Sequence, residues 1–406
     1  MHNLKNGYVQ TKYFNYYAML LIYTFLLLPF LSLVGIQKLL GETAYSAYQS
    51  GAMVLLFVLV LFKVRYVPRD MFSWMYLLFN GLIIYSTTQN YGFSMGILVN
   101  VLAGFFIILL IRQDGELIIR ALTIIAVIAL IANFISIARQ GLNELSEYFV
   151  GGKNSMSIFF APSAFLIMAN AYIRRGKASW FVACYAAVAA LEVFLTNSAT
   201  GIVTVVAMGA AMLWIKRFKP NVMTCILGMI LIQLALVFLI DILANSPLWQ
   251  EILTLLGKEA TLTSRAMIWE QAIGMLKEDW LLGVGRGATI QYVTSWGRRM
   301  VAGEAHNFFL ELLLEGGLLG FGLYVMLIWS AVRNLNMENL LHRIIFICFL
   351  VMLVNGLAEA VNNKMHVTII LALLSACSNG MLKDKHMKKT KQVGQQDVVD
   401  LENYRQ

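Results

Sequence analysis

Three segments in the second half of the chain carry the side chains best suited to chemistry. The first reads Glu304-Ala-His306-Asn307-Phe-Phe-Leu-Glu311-Leu-Leu-Leu-Glu315. Histidine is the side chain most easily poised to take a proton near neutral pH. Asn307 and Glu311 lie four residues apart and share a helix face, which Glu315 continues. The second segment is Thr263-Ser264-Arg265-Ala-Met-Ile-Trp269. Thr263 or Ser264 caps a helix there, and Arg265 falls in its first turn, a costly place for a cation. An anion bound at that point is held by both the guanidinium and the free N–H groups. The third segment is Gly283-Val-Gly285-Arg286-Gly287. Its glycines permit tight turning and close backbone approach to a ligand, with Arg286 as a second anion contact. It does not follow a strand, which argues against a dinucleotide site. Each residue also has a plainer reading: Arg265 as a surface arginine, Glu311 and Glu315 as partners of basic side chains on neighbouring helices.

The elements that must position these residues follow from composition. The chain of 406 residues is 59% hydrophobic and 13% charged, with a mean hydropathy of +0.71. Soluble domains carry about 25% charged residues. Apolar runs of spanning length recur at 16–35, 44–62, 71–87, 93–111, 117–138, 155–173, 178–195, 199–215, 222–244, 308–331, 341–358 and 366–382. In lipid a helix pairs its own backbone groups, and the alternating short segments of a transmembrane barrel are absent. The expectation is an all-α polytopic membrane protein of about twelve transmembrane helices. The first run lacks a cleavage site and reads as a retained helix. Cys184, Cys225, Cys348 and Cys377 lie within apolar runs and form no CxxC pair, so neither a disulfide framework nor a zinc site is expected.

Charge gives the orientation. With the N-terminus in the cytoplasm, 21 of the 31 Lys and Arg fall on the cytoplasmic side. Six of the remaining ten sit in one long loop, where charge constrains topology least. Both termini are then cytoplasmic, and the loop 245–305 between helices nine and ten is extracytoplasmic. Residues 1–382 form a single transmembrane domain and 383–406 a basic cytoplasmic tail. The net charge of +9 is a topology signal, not a nucleic-acid patch. There is no internal repeat of the kind many transporters show.

Within the loop, 247–256 fits a short helix on the membrane surface, and Arg298-Arg299 fits contact with lipid headgroups. On the same face, Lys153 in Gly151-Gly152-Lys153-Asn154 is placed to help hold a phosphate, although a surface lysine is the plainer reading. Gly316-Gly317 and Gly320 fit close helix packing. Glu192 and Asp241, inside apolar runs, fit structural pairing.

Taken in order, Arg265-x-x-x-Trp269, Gly283-x-Gly285-x-Gly287, Ala305-His306-Asn307 and Glu315-x-Gly317-x-x-Gly320 resemble the signature region of the bacterial O-antigen ligase and polymerase family. The resemblance covers roughly 196–332, with the first half alike only in hydropathy. It implies a membrane glycosyltransferase of the GT-C-like type in the bacterial cytoplasmic membrane, acting on the extracytoplasmic side. Such enzymes move a glycan from an undecaprenyl-diphosphate carrier to an acceptor hydroxyl, without nucleotide sugar, cofactor or metal. Carried over, Arg265 is the diphosphate contact and His306 the base. The family often has a Ser-Arg or Ser-Lys pair at the stretch that here reads Ser198-Ala199-Thr200. Alanine replaces the cation, and Arg286 or Lys153 is the candidate substitute.

The activity expected is polymerisation of lipid-linked repeat units of an exported polysaccharide such as a capsule or O-antigen. The alternative within the family is a ligase that moves finished glycan to a lipid, wall polymer or protein. The alternative of another class is a lipid-linked oligosaccharide flippase. Expected partners are the lipid-linked glycan, the bilayer, and flippase and chain-length regulator proteins, with no nucleic acid.

Overall fold

The structure, a computed structural model, describes residues 2–64, 70–142, 146–244, 251, 261–293, 298–362 and 364–382. At 2–14, 240–244 and 261–264 only the backbone is described. The surface helix expected at 247–256 (apart from residue 251), the side chain of Asp241 and the basic tail lie outside these residues. The helix expected to be capped by Thr263 or Ser264 instead begins at Thr261, which places both inside it and Arg265 beyond its first turn, a correction to the sequence reading.

The helices are α1 (His2–Leu27), α2 (Val34–Leu40), α3 (Glu42–Lys63), α4 (Met71–Tyr91), α5 (Met95–Gln140), α6 (Lys153–Arg175), α7 (Trp180–Leu195), α8 (Ala199–Trp214) and α9 (Val222–Ala244). After the long connection come α10 (Thr261–Glu278), strands β1 (Ile290–Val293) and β2 (Arg299–Ala302), then α11 (Phe308–Val332), α12 (Leu340–Asn355) and α13 (Met365–Ser378). The apolar runs read from the sequence fall largely on helix, the first of them broken at 31–33. Among the described residues, five helices are long and apolar enough to cross a membrane, and six if the bent pair of α1 and α2 counts as one span. Four apolar helices are shorter: α7, α8, α12 and α13. The chain is thus a largely helical, polytopic membrane protein. The expectation of purely α structure needs one correction, because the loop contains an antiparallel hairpin that pairs Ile290 with Ala302 and Val293 with Arg299.

Two helix interruptions have local causes. α5 runs for 46 residues, about 69 Å at 1.5 Å per residue, or twice a bilayer core. Its backbone breaks at Asp114, dividing it into arms of spanning length. Polar side chains collect at the break: Asp114 accepts from Tyr23 (2.6 Å) and pairs with Lys63, while Arg112 pairs with Asp70 and donates to Ser73 (3.0 Å). α11 breaks at Gly317, whose φ of +59° and ψ of −162° belong to a region essentially confined to glycine.

Burial runs opposite to that of a soluble protein on the outside and parallel to it within. Leu21, Phe62, Leu213, Leu231 and Phe238 are exposed on the outer faces of the bundle, while Phe160, Phe308, Phe346 and Phe349 are buried between helices. A second, smaller core holds the loop. Ile268, Trp269 and Ala272 of α10 pack with Ile290, Ala302 and Ala305 against Leu310 and Leu314 of α11. That cluster seats the loop helix over the start of α11.

Candidate functional site

The backbone before α11 is tied on both sides of His306. The Ala305 amide donates to Glu311 Oε2 (2.6 Å), and the Ala305 carbonyl accepts from the Trp269 indole (2.8 Å). Asn307 caps α11 by accepting from the Leu310 amide (3.0 Å), and its own amide group donates to the Leu357 carbonyl (3.3 Å). The Phe308 amide donates to the Gly356 carbonyl (2.8 Å). With its neighbours held, His306 adopts φ +50°, a left-handed conformation that costs a non-glycine residue on the order of 1–3 kcal/mol. The surrounding bonds maintain it.

The imidazole so presented meets a carboxylate from another part of the chain. Glu359, in the turn between α12 and α13, is 3% exposed, and its Oε2 lies 3.4 Å from His306 Nδ1. Its Oε1 accepts from Arg265 Nη2 (3.1 Å) and from Asn154 Nδ2 (2.7 Å). Asn154 in turn accepts from the Ser198 hydroxyl (2.8 Å), which also caps α8. Arg265 reaches Thr200 at 3.4 Å. Four connections therefore converge: the start of α6, the turn before α8, the loop helix α10 with the segment after it, and the turn before α13. The Arg265 side chain keeps 22% of its surface exposed and that of His306 31%, so both are open to a ligand.

The electrostatics follow from this crowding. Glu304 Oε1 stands 3.5 Å from His306 Nδ1. Burial pushes the Glu304 carboxyl above its ordinary range, against the lowering influence of Lys364 and His306. Burial lowers the Arg265 guanidinium from its usual value, and Glu359 opposes that shift. Among the described residues, Glu304, His306 and Glu359 bring one ligand atom each within 4.8 Å of one another. Arg265 already sits on Glu359, so this carboxylate has a protein cation as its partner.

A second polar cluster lies alongside. Arg286 makes a two-pronged ion pair with Glu315 (3.0 and 3.1 Å), and Asn362 donates to the same carboxylate (3.1 Å). The break in α11 brings Arg286 there. The Val284 and Gly285 amides donate to the Leu314 and Glu315 carbonyls (2.8 and 3.0 Å), while the Leu318 amide donates to the Trp280 carbonyl (2.9 Å). The chain before Arg286 thus takes over the hydrogen bonds that the broken helix gives up. A side chain on Gly283 or Gly317 would run into the other segment's backbone, and one on Gly285 into the backbone of α4 at Thr87. Gly283 and Gly285 serve close approach of backbone to backbone rather than to a ligand, a correction to the sequence reading, whereas Gly287 has open space beside it. Likewise Gly317 admits the loop, not a neighbouring helix. A cavity of about 110 Å³ opens beside Arg286, lined by Tyr76, Asn80, Tyr324 and Asn362.

Of the residues picked from sequence, Arg265 and His306 come together at Glu359. Lys153 opens α6, next to Asn154. Arg286 and Glu315 pair with each other, so the partner of Glu315 comes from the loop and not from a neighbouring helix. Asn307 and Glu311 hold the backbone around His306. Arg299 lies exposed on β2, and Glu192 accepts from Asn133 (2.7 Å) in the bundle interior. Glu359 was missed. The available signal was an acidic residue in Leu357-Ala-Glu359-Ala, a short connection that the topology count assigns to the same face as His306.

Comparison of the chain with curated proteins gives no match. A family match covers residues 184–325, from α7 through the loop to the second arm of α11, and takes in Arg265, Arg286, His306, Asn307, Glu311 and Glu315. The matching family is described as O-antigen ligase, and it is this region of the chain that is similar to it.

Proposed function

We propose that this membrane enzyme of polysaccharide assembly is a glycosyltransferase that extends an undecaprenyl-diphosphate-linked glycan by adding lipid-linked repeat units. The observation that carries the reading is the meeting of Arg265 and His306 at one buried carboxylate, 3.1 and 3.4 Å away. Arg265 engages the donor diphosphate and stabilises the charge that develops as it leaves. His306 removes the proton of the acceptor hydroxyl as its oxygen attacks the anomeric carbon. The bond from that carbon to the phosphate oxygen breaks, and its electron pair departs with the lipid diphosphate. Attack opposite the leaving group inverts the carbon. Lys153, beside Asn154, supplies the additional positive charge that Ala199 does not.

The site faces the extracytoplasmic side of the bacterial cytoplasmic membrane. Two features support this orientation. The residues around Glu359 all come from connections on one side of the alternating helices, and the basic connections near Arg112 and Lys219 belong to the other. The described part of the loop, α10 with the hairpin, then lies on the site's side, and the polyprenyl tail stays in lipid beside the exposed apolar faces. Transfer of finished glycan to a different acceptor is the second reading, favoured by the description of the matching family as ligases.

The test is reconstitution of the purified protein with lipid-linked repeat units extracted from the source cells. Longer glycans on the same carrier are expected. Transfer only to an added non-carrier acceptor overturns polymerisation in favour of ligation. Arg265→Ala and His306→Ala are expected to abolish product while leaving membrane insertion unchanged, and wild-type product from both would overturn the site.

A further inference from the structure

Glu359 is shared by two groups with different tasks, and its surroundings make that sharing consequential. It is buried, lies outside the family match, and its two oxygens face in different directions. Oε1 holds Arg265 and Asn154, and Oε2 faces His306 Nδ1. A carboxylate at Nδ1 fixes the neutral imidazole with its proton on that nitrogen, which leaves Nε2 with the free lone pair. The same carboxylate stabilises the imidazolium once Nε2 has taken a proton. Arg265 competes for this negative charge. When a diphosphate occupies Arg265, the guanidinium's positive charge is shared with the new anion, and Glu359 acts more strongly on His306.

We infer that Glu359 is a positioning residue that couples donor binding to base strength, so that His306 gains basicity when Arg265 is engaged by a diphosphate. The inference rests on the reading of Arg265 as the diphosphate contact and His306 as the base. The proton path balances: the acceptor hydroxyl proton goes to Nε2, the Nδ1 proton stays hydrogen-bonded to Glu359, and the imidazolium releases its proton to solvent after the lipid diphosphate has left. The charged groups around His306 are Glu304 before it, Glu311 and Glu315 of α11, Arg286 beside Glu315, Arg265 of α10, and Glu359 and Lys364 around the last turn. Of these, Glu359 alone contacts both His306 and Arg265 among the described residues.

The test does not depend on knowing the sugar. Diethyl pyrocarbonate modifies neutral imidazole, so its rate at His306 against pH, read by peptide mass spectrometry, gives the protonation midpoint. The chain's five histidines fall at separate positions that the peptides distinguish. The full-length protein in lipid nanodiscs is used, with inorganic pyrophosphate as the diphosphate probe. Glu359→Gln is expected to lower the midpoint, as loss of a neighbouring carboxylate does. Pyrophosphate is expected to raise the wild-type midpoint, and to raise that of Glu359→Gln and of Arg265→Gln by less. Glu359→Asp, which keeps the charge, is expected to return toward wild type. Coincident midpoints in wild type and Glu359→Gln overturn the coupling, as does an equal pyrophosphate shift in both. In transfer assays, full activity of His306→Ala overturns the base assignment itself. An inactive His306→Ala with an unmoved Glu359→Gln midpoint overturns only the coupling.

Discussion

The indole of Trp269 donates to the carbonyl of Ala305 at 2.8 Å, so the loop helix holds the residue that directly precedes His306. Trp269 is 1% exposed, buried in the small core that α10, the hairpin and the start of α11 share. Anchor and site are therefore one construction. The position of Arg265, one turn before Trp269 on the same helix, depends on the same contact.

Two substitutions separate the packing of Trp269 from its hydrogen bond. Trp269→Ala removes the centre of the small core, and a loss of about 3–5 kcal/mol is expected. Trp269→Phe keeps most of the apolar contact but leaves the Ala305 carbonyl without its donor, a loss of about 1 kcal/mol. Thermal unfolding in lipid nanodiscs reads both. Equal losses from the two variants would show that the indole N–H does not contribute.

Gly317 is expected to tolerate no side chain. Its φ of +59° and the Leu281 backbone against it make Gly317→Ala destabilising by about 2–4 kcal/mol. Gly322, in the same helix with open space beside it, is the control. Gly322→Ala should be neutral or slightly stabilising. Comparable melting temperatures for the two alanine variants would contradict the account of the helix break.

Arg286 and Glu315 should behave as a unit. Removing either partner leaves a buried charge without its counterpart, and each single change to methionine is expected to cost about 3–5 kcal/mol. Changing both to methionine is expected to cost less than either alone. A double-mutant cycle on unfolding free energies gives the coupling. Additive single effects would mean the pair does not stabilise the break in α11.

Glu304 gives the protein a pH-dependent stability with a defined sign. Its carboxyl is raised above the ordinary value of 4.5, chiefly by burial. A raised acid binds its proton more readily folded than unfolded, so its stabilisation is complete below 4.5 and fades as pH rises through the raised folded value. The melting temperature of wild type relative to Glu304→Gln should therefore fall as pH climbs through that window. A constant difference across it would remove Glu304 as the source.

The sequence made part of the site legible because Arg265, Trp269, His306 and Asn307 have functional residue types at short spacings. Glu359 was not legible in the same way. Its role depends on contacts with His306, 53 positions before it, and with Asn154, 205 positions away, and no local spacing encodes those. The glycines from 283 to 287 and at 317 announced close approach, but not what would approach. The segments at Gly283 and Gly317 turned out to be each other's partners, and Gly285 packs on α4.

By itself, the sequence determined that the chain is a bundle of apolar helices with one long polar loop before α11. Hydropathy and helical hydrogen bonding are properties of single segments, and lipid enforces them segment by segment. Only the tertiary structure decided that α11 breaks to accept the loop, that a hairpin forms in it, and that Glu359 stands between Arg265 and His306. These arrangements come from backbone and charge satisfied across distant segments, where a buried polar group takes whichever partner the packing brings within reach.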